Sequence, residues 1–141
     1  MPTPSSGGSS RPDPADHGRL AASISAAVVH LFSEHTGRGP TRARTTIDGE
    51  TVVVILQDTM TKAERSLAHA GKDADVLQLR RSFQETMSSD LIGVVERLTK
   101  SSVQVFMSAN HIAPDAAAEI FLLDGEVGAA ASGQSPGSME R

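Results

Sequence analysis

One arginine stands between two glycines and ahead of a proline at Gly37-Arg38-Gly39-Pro40, and Arg42 and Arg44 follow within a few residues. An arginine presented this way suits anions: its planar fork of N–H donors matches a carboxylate or a phosphate, and glycine lets the backbone approach closely. Lys62 and Arg65 are the basic side chains that could complete such a site. A purely conformational reading competes with this. In it Gly37 ends a helix, Gly39 tightens the connection, Pro40 sets the direction of the next strand and Arg38 points into water. Phosphate loops of the Gly-x-Gly kind need a strand before and a helix after, and here the order is reversed. We therefore read the motif chiefly as a chain reversal, and keep Arg38, Lys62 and Arg65 as candidate binding residues for a partner or an anion.

Other constellations are weaker. His30 and Glu34 lie four apart and could share a helix face, but a metal site needs more ligands, and His35 and His111 could join only through tertiary structure; we expect solvated or helix-end histidines and no metal or other cofactor. Ser, His and Asp are all present, yet none sits in a Gly-x-Ser-x-Gly elbow. Glu85, Asp90 and Glu96 are spaced as a solvated helix face. Arg80 and Arg81 are read as covering a helix surface with their stems. No catalytic residue is assigned.

Composition bounds what these side chains can serve. A chain of 141 residues has one-domain length. Four Phe with no Trp or Tyr point to an aliphatic core, and the absence of Cys excludes disulfides, thiol catalysis and Cys-ligated metals. A reducing cytoplasm fits. The net charge of −4 argues against a general nucleic-acid binder, which needs a basic face. Between His17 and Gly125 there are eleven Lys and Arg against thirteen Asp and Glu, so that segment is net minus two and any electrostatic site must be local. The densest apolar run, Val52 to Leu56, is far short of the roughly 20 residues a membrane-spanning helix needs, so we expect no direct membrane insertion. Residues 1–16 carry no apolar stretch and read as a disordered leader without a secretory signal. Residues 126–141 return to Gly, Ala, Ser and Pro and read as a disordered tail.

The elements between those tails are legible in outline. Leu20, Ile24, Ala27, Val28, Leu31 and Phe32 recur at helical spacing from near His17, and Gly37 and Pro40 stop that helix. Thr41 to Ile47 and Thr51 to Gln57 predict a hairpin turned through Asp48-Gly49, with Arg42, Arg44 and Thr46 on one face and Ala43, Thr45 and Ile47 on the other. The second strand is apolar on both faces, which implies an interior strand or one covered on both sides by helices or a second subunit. Thr61-Lys62-Ala63-Glu64 has capping-box form and opens a short helix that ends near Gly71. A long helix from about Asp73 to Lys100 carries the stripe Val76, Leu79, Phe83, Met87, Leu91, Val94, Val95 and Leu98. Val103 to Ser108 and Ala117 to Leu123 predict a second strand pair across a loop from Asn110 to Asp115. The expectation is an α+β fold, ordered helix-strand-strand-helix-helix-strand-strand, with a mainly antiparallel four-stranded sheet over residues 17–125 as a single domain.

In combination, the stretch from His35 to Arg44 with its Gly-Arg-Gly-Pro, Leu56 to Leu67 with Thr61-Lys62-Ala63-Glu64-Arg65, Val76 to Arg80, Val95-Glu96-Arg97-Leu98-Thr99 and Asp115 to Leu123 resemble the MpsC-like family. These are small bacterial proteins named for a Na+-translocating, membrane-potential-generating system. The resemblance spans the core and neither tail. It marks Gly37, Arg38, Gly39, Pro40, Thr61, Glu64, Arg65, Arg80, Glu96, Asp115 and Phe121 as family positions, and departs at Lys100, where the family usually has Gly. It implies an association with membrane cation or bicarbonate transport. Together with the short apolar runs, the doubly apolar second strand and the lack of a catalytic set, we expect a soluble, cytoplasmic, non-catalytic accessory or regulatory protein that forms a homodimer and contacts a protein partner, such as a membrane transport complex. The alternative is an anion- or nucleotide-binding sensor built around Arg38.

Overall fold

The computed structural model describes residues 14–127. The expected leader and tail lie, but for their innermost residues, outside the described residues. The chain runs α1 (Pro14–Thr36), β1 (Arg42–Asp48), β2 (Thr51–Gln57), α2 (Lys62–His69), α3 (Asp73–Thr99), β3 (Val103–His111) and β4 (Ala116–Leu123). All strand pairs are antiparallel, in the order β1-β2-β4-β3. This is the α+β architecture and element order that the sequence predicts. The last strand inserts between the two hairpins, so β2 and β4 are interior and β1 and β3 are edges.

Helix α1 begins at Pro14, ahead of the His17 at which its apolar periodicity starts. It buries Ile24, Val28 and Phe32. Gly37 closes it in the left-handed conformation, φ 83°, and its N–H reaches the Ser33 carbonyl at 2.9 Å. The β1–β2 connection is two residues long, and its positive dihedral falls on Gly49 alone, φ 61°. The capping box of α2 forms as spelled: the Glu64 N–H donates to Thr61 Oγ1 at 3.2 Å, and the Thr61 N–H donates to Glu64 Oε1 at 2.8 Å.

All three helices lie on one side of the sheet. Val52, Val54 and Leu56 of β2 and Ala117, Glu119, Phe121 and Leu123 of β4 point toward them and are buried. Glu119 apart, they form one hydrophobic core with α1 and the Met87, Leu91 and Val95 stripe of α3. The buried line on α3 differs from the expected stripe. It runs Val76, Arg80, Gln84, Met87, Leu91, Val95, Thr99, while Leu79 is 38 % exposed. Over two turns the helix therefore turns polar side chains inward. Strand β3 also departs from its simple alternation. A bulge between Val103 and Val105 puts Val103 and Phe106 on the core side, with Phe106 5.1 Å from the Phe121 ring. Val105 and Met107 are left on the open side, 40 % and 47 % exposed.

Lys100 caps α3 in the left-handed region, φ 61°, ψ 32°, with its N–H on the Glu96 carbonyl at 2.9 Å. The turn expected at a glycine is thus made by a lysine, at a conformational cost of roughly 1 kcal/mol. Lys100→Gly should raise the unfolding free energy by about 0.5–1 kcal/mol, read from the urea midpoint at constant slope; an unchanged or lowered midpoint would contradict this.

Candidate functional site

The Gly37-to-Pro40 reversal places Arg38 beside the end of β2. A Cβ on Gly39 would meet Val29 Cγ1 at 3.2 Å, so the chain turns back close against α1. Asp58, which follows β2 in the left-handed conformation (φ 58°), receives the arginine. Arg38 donates from Nη2 to Asp58 Oδ2 at 2.9 Å and from Nη1 to the Asp58 carbonyl. Thr41 donates its hydroxyl to the same Oδ2 at 2.9 Å, and Arg65 reaches Oδ1 at 3.4 Å. The Arg38 hydrogen bond, followed by that of Thr41, holds the Asp58 carboxyl below its usual range. Arg38 and Arg65 therefore converge on an anion, and that anion is the protein's own. Lys62 is exposed on the first turn of α2, and its side chain makes neither hydrogen bond nor ion pair among the described residues.

Behind Asp58 a polar chain crosses the domain. The Asp58 N–H reaches the Asp115 carbonyl at 3.3 Å. The Asp115 carboxylate accepts from the Thr59 hydroxyl at 2.7 Å and the Met60 N–H at 2.8 Å, tying the β3–β4 loop to the β2–α2 connection. Arg80, 7 % exposed, sits under that connection. It donates Nη1 to Glu64 Oε1 at 3.2 Å, Nη2 to Thr59 Oγ1 at 2.6 Å and Nε to Asn110 Oδ1 at 3.0 Å. The sequence reading of Arg80 as a solvated surface residue is corrected here: its guanidinium is the hub of a buried network. Asn110 and Gln84 exchange hydrogen bonds at 2.8 and 3.2 Å, and Gln84 Nε2 donates to Glu119 Oε2 at 2.9 Å. Ser108 donates to Glu119 Oε1.

Glu119 ends this chain in the middle of β4, fully buried. Burial pushes its carboxyl up to about 7, against the opposing pull of the Ser108 and Gln84 hydrogen bonds and of the Arg80 charge. The sequence reading does not single out Glu119. The period of two along β4 carries the signal, because it places Glu119 on the same face as Phe121.

A groove of about 490 Å³ opens between α3 and β3, walled by Leu77, Arg81, Phe106 and Ala109. Gln84, Ser108 and Asn110 also line it, so the network's outer edge faces solvent there. Arg81 is exposed, as the sequence implies. Glu96 departs from the solvated face expected of it: its carboxylate accepts from the Val103 N–H at 2.9 Å and fixes the turn into β3. Asp90 pairs with His35 at 3.3 Å, and His30 pairs with Glu34 at 3.2 Å on the surface. Among the described residues no group of three or more His, Asp or Glu side chains is arranged to hold a metal ion.

Residues 16–125 match the family described as Na+-translocating membrane potential-generating system (MpsC). The chain belongs to the MpsC family. Searches of curated proteins and of solved structures find no match. The MpsC family name links the chain to a membrane system, while no helix among the described residues is long and apolar enough to cross a membrane. Of the positions named from the MpsC resemblance, Arg38, Thr61, Glu64, Arg65, Arg80 and Asp115 meet around the segment from Asp58 to Thr61. Gly37, Gly39 and Pro40 shape the turn that brings Arg38 there. Phe121 is the largest fully buried side chain of the core, and Glu96 sits apart at the far end of α3.

Proposed function

We propose that this MpsC-family chain is a soluble, cytoplasmic, non-catalytic accessory protein that works by contact: it pairs with a second copy and docks on a protein component of a membrane cation or bicarbonate transport complex. The observation that carries this is the side of the sheet opposite the helices. It presents Val53, Ile55, Val105, Met107, Ile120 and Leu122 without a covering layer among the described residues, and Ile55 is 40 % exposed. Aliphatic side chains gathered on one face mark a contact surface. The network side chains, by contrast, hydrogen-bond chiefly to one another and hold the elements together. The end of the domain with Arg38, Lys62 and Arg65 is the proposed contact for the transport component, with Lys62 a cation unpaired among the described residues.

Affinity capture from native cells tests this. A tagged Lys62→Glu variant should recover about tenfold less of the membrane component than the parent chain, with an unchanged melting temperature. Equal recovery would remove this end from the contact. Phosphate, nucleotides and bicarbonate are expected to leave the melting temperature unchanged, because Asp58 already fills the Arg38 fork; a rise with any of them would favour the anion sensor.

A further inference from the structure

The strand registers arrange the open face in four rows. Arg42, Gln57, Ala116 and His111 align across the sheet as the first row. Arg44, Ile55, Ala118 and Ala109 form the second, and Thr46, Val53, Ile120 and Met107 the third. Asp48, Thr51, Leu122 and Val105 form the fourth. The two halves of the face differ in bulk. On β4 and β3 the first two rows carry Ala116, Ala118 and Ala109, with His111 at the β3 corner, and a hollow of about 170 Å³ lies there. The last two rows carry Ile120, Leu122, Met107 and Val105 at the equivalent places. Charge is divided the same way along β1: the first rows bear Arg42 and Arg44, the last bears Asp48.

We propose that this face binds a second copy of the same chain, about a two-fold axis that runs across the strands between the second and third rows. The inference rests on the contact-module reading above and specifies the occupant of the face and its register. The axis lays row two on row three and row one on row four. Ala118 then meets Ile120 of the second copy, Ala109 meets its Met107 and Ala116 its Leu122, so three of the four large side chains enter the half built from alanine, while Val105 meets His111. Ile55 meets Val53, and the polar Gln57 meets Thr51. At the corner Arg42 meets Asp48, and the symmetry forms that ion pair twice. Packed sheets cross at about 30°, and the long arm of arginine absorbs the resulting offset at the corner. The other in-plane two-fold, along the strands, sets β1 over β3. That puts Asp48 on Val105 and Arg44 on Ala109, and leaves every charge of the face opposite an apolar or neutral group, which desolvation disfavours. A face about 20 Å on each side lies at the small end of stable interfaces, so the dimer should depend on concentration.

Sedimentation equilibrium of the full chain from the micromolar to the millimolar range tests the proposal. A monomer–dimer equilibrium is expected. Arg42→Asp and Asp48→Arg should each raise the dissociation constant about tenfold, and the double exchange should bring it back to within about threefold of the parent. Met107→Glu should abolish the dimer. All three sites are exposed, and an unchanged circular dichroism spectrum establishes that each variant is folded. A monomer throughout, or a dimer indifferent to Met107→Glu, overturns the pairing through this face. A dimer that Met107→Glu breaks but the charge exchange does not restore overturns the two-fold. Failure of the accessory role registers separately, as equal capture by the Lys62→Glu variant.

Discussion

Arg80→Met is expected to lower the unfolding free energy by about 3–5 kcal/mol, the range seen when one member of a buried ion pair is removed. Methionine keeps most of the side chain's length, so the loss is not mainly a cavity. It arises from what is left behind. Glu64, 3 % exposed, would be left buried with no cation beside it. Thr59 Oγ1 and Asn110 Oδ1 would each lose a donor. Glu64 is held by its capping box to Thr61 and cannot swing out to water without opening the start of α2. Glu64→Gln in the same chain removes the stranded carboxyl while keeping an acceptor for the Thr61 N–H. The double variant should therefore recover a large part of the loss, with a coupling of about 1–3 kcal/mol in a double-mutant cycle. Urea unfolding at constant slope measures all four proteins. A loss below about 1 kcal/mol for Arg80→Met would show that water already reaches the pair, and additivity would show that Arg80 acts through Thr59 and Asn110 alone.

The same network explains which parts of the molecule could be read from the sequence. The apolar stripe of α1, the β1–β2 hairpin and the Thr61–Glu64 cap are set by neighbours within a few residues, and all three form as the spacing implies. The inward turn of Arg80 and Gln84 is decided by partners far along the chain, Asn110 and Glu119. Without those partners an arginine on a helix is more economically placed in water, and the apolar pattern drew the stripe through Leu79 instead. Arg38 illustrates a middle case. Its conformational setting was legible, but its carboxylate was not, because Asp58 reaches it only by taking a left-handed turn after β2. The insertion of β4 beside β2 was likewise hidden. Both hairpins are local, whereas their order depends on which strand edges pair, and the apolar faces of β2 imply an interior or covered strand without naming its neighbour.

Glu119 gives the second large effect, as a function of pH. In the unfolded chain its carboxyl has the ordinary value, 4.5, and in the folded chain about 7. Below pH 4.5 both states hold the proton, and the group contributes its full stability. Between 4.5 and 7 the unfolded chain releases the proton first, so the folded state binds more protons and stability falls as pH rises. The loss is complete above the folded value and amounts to about 3 kcal/mol for a shift of this size. Asp58 acts with the opposite sign in a separate window, since its lowered carboxyl loses stability only as pH falls into the acid range below its unfolded value of 3.8. Glu119→Gln removes the titration while keeping an acceptor for Gln84 and a donor for Ser108. Unfolding free energies at pH 5 and pH 8 should therefore differ by about 3 kcal/mol more in the parent than in this variant, and the variant should be the more stable of the two at pH 8. The two proteins differ at this one position, so contributions from the rest of the chain cancel in that comparison. Equal pH dependence in the two would mean that Glu119 ionises freely, with water entering from the groove between α3 and β3 to solvate it. In the folded state the two protonation forms differ in what they ask of Ser108: the carboxylate accepts its hydroxyl, whereas the neutral acid donates to it. Ser108 lies on the groove wall, so near neutral pH the hydrogen-bonding character of that wall is set by a proton buried beneath it.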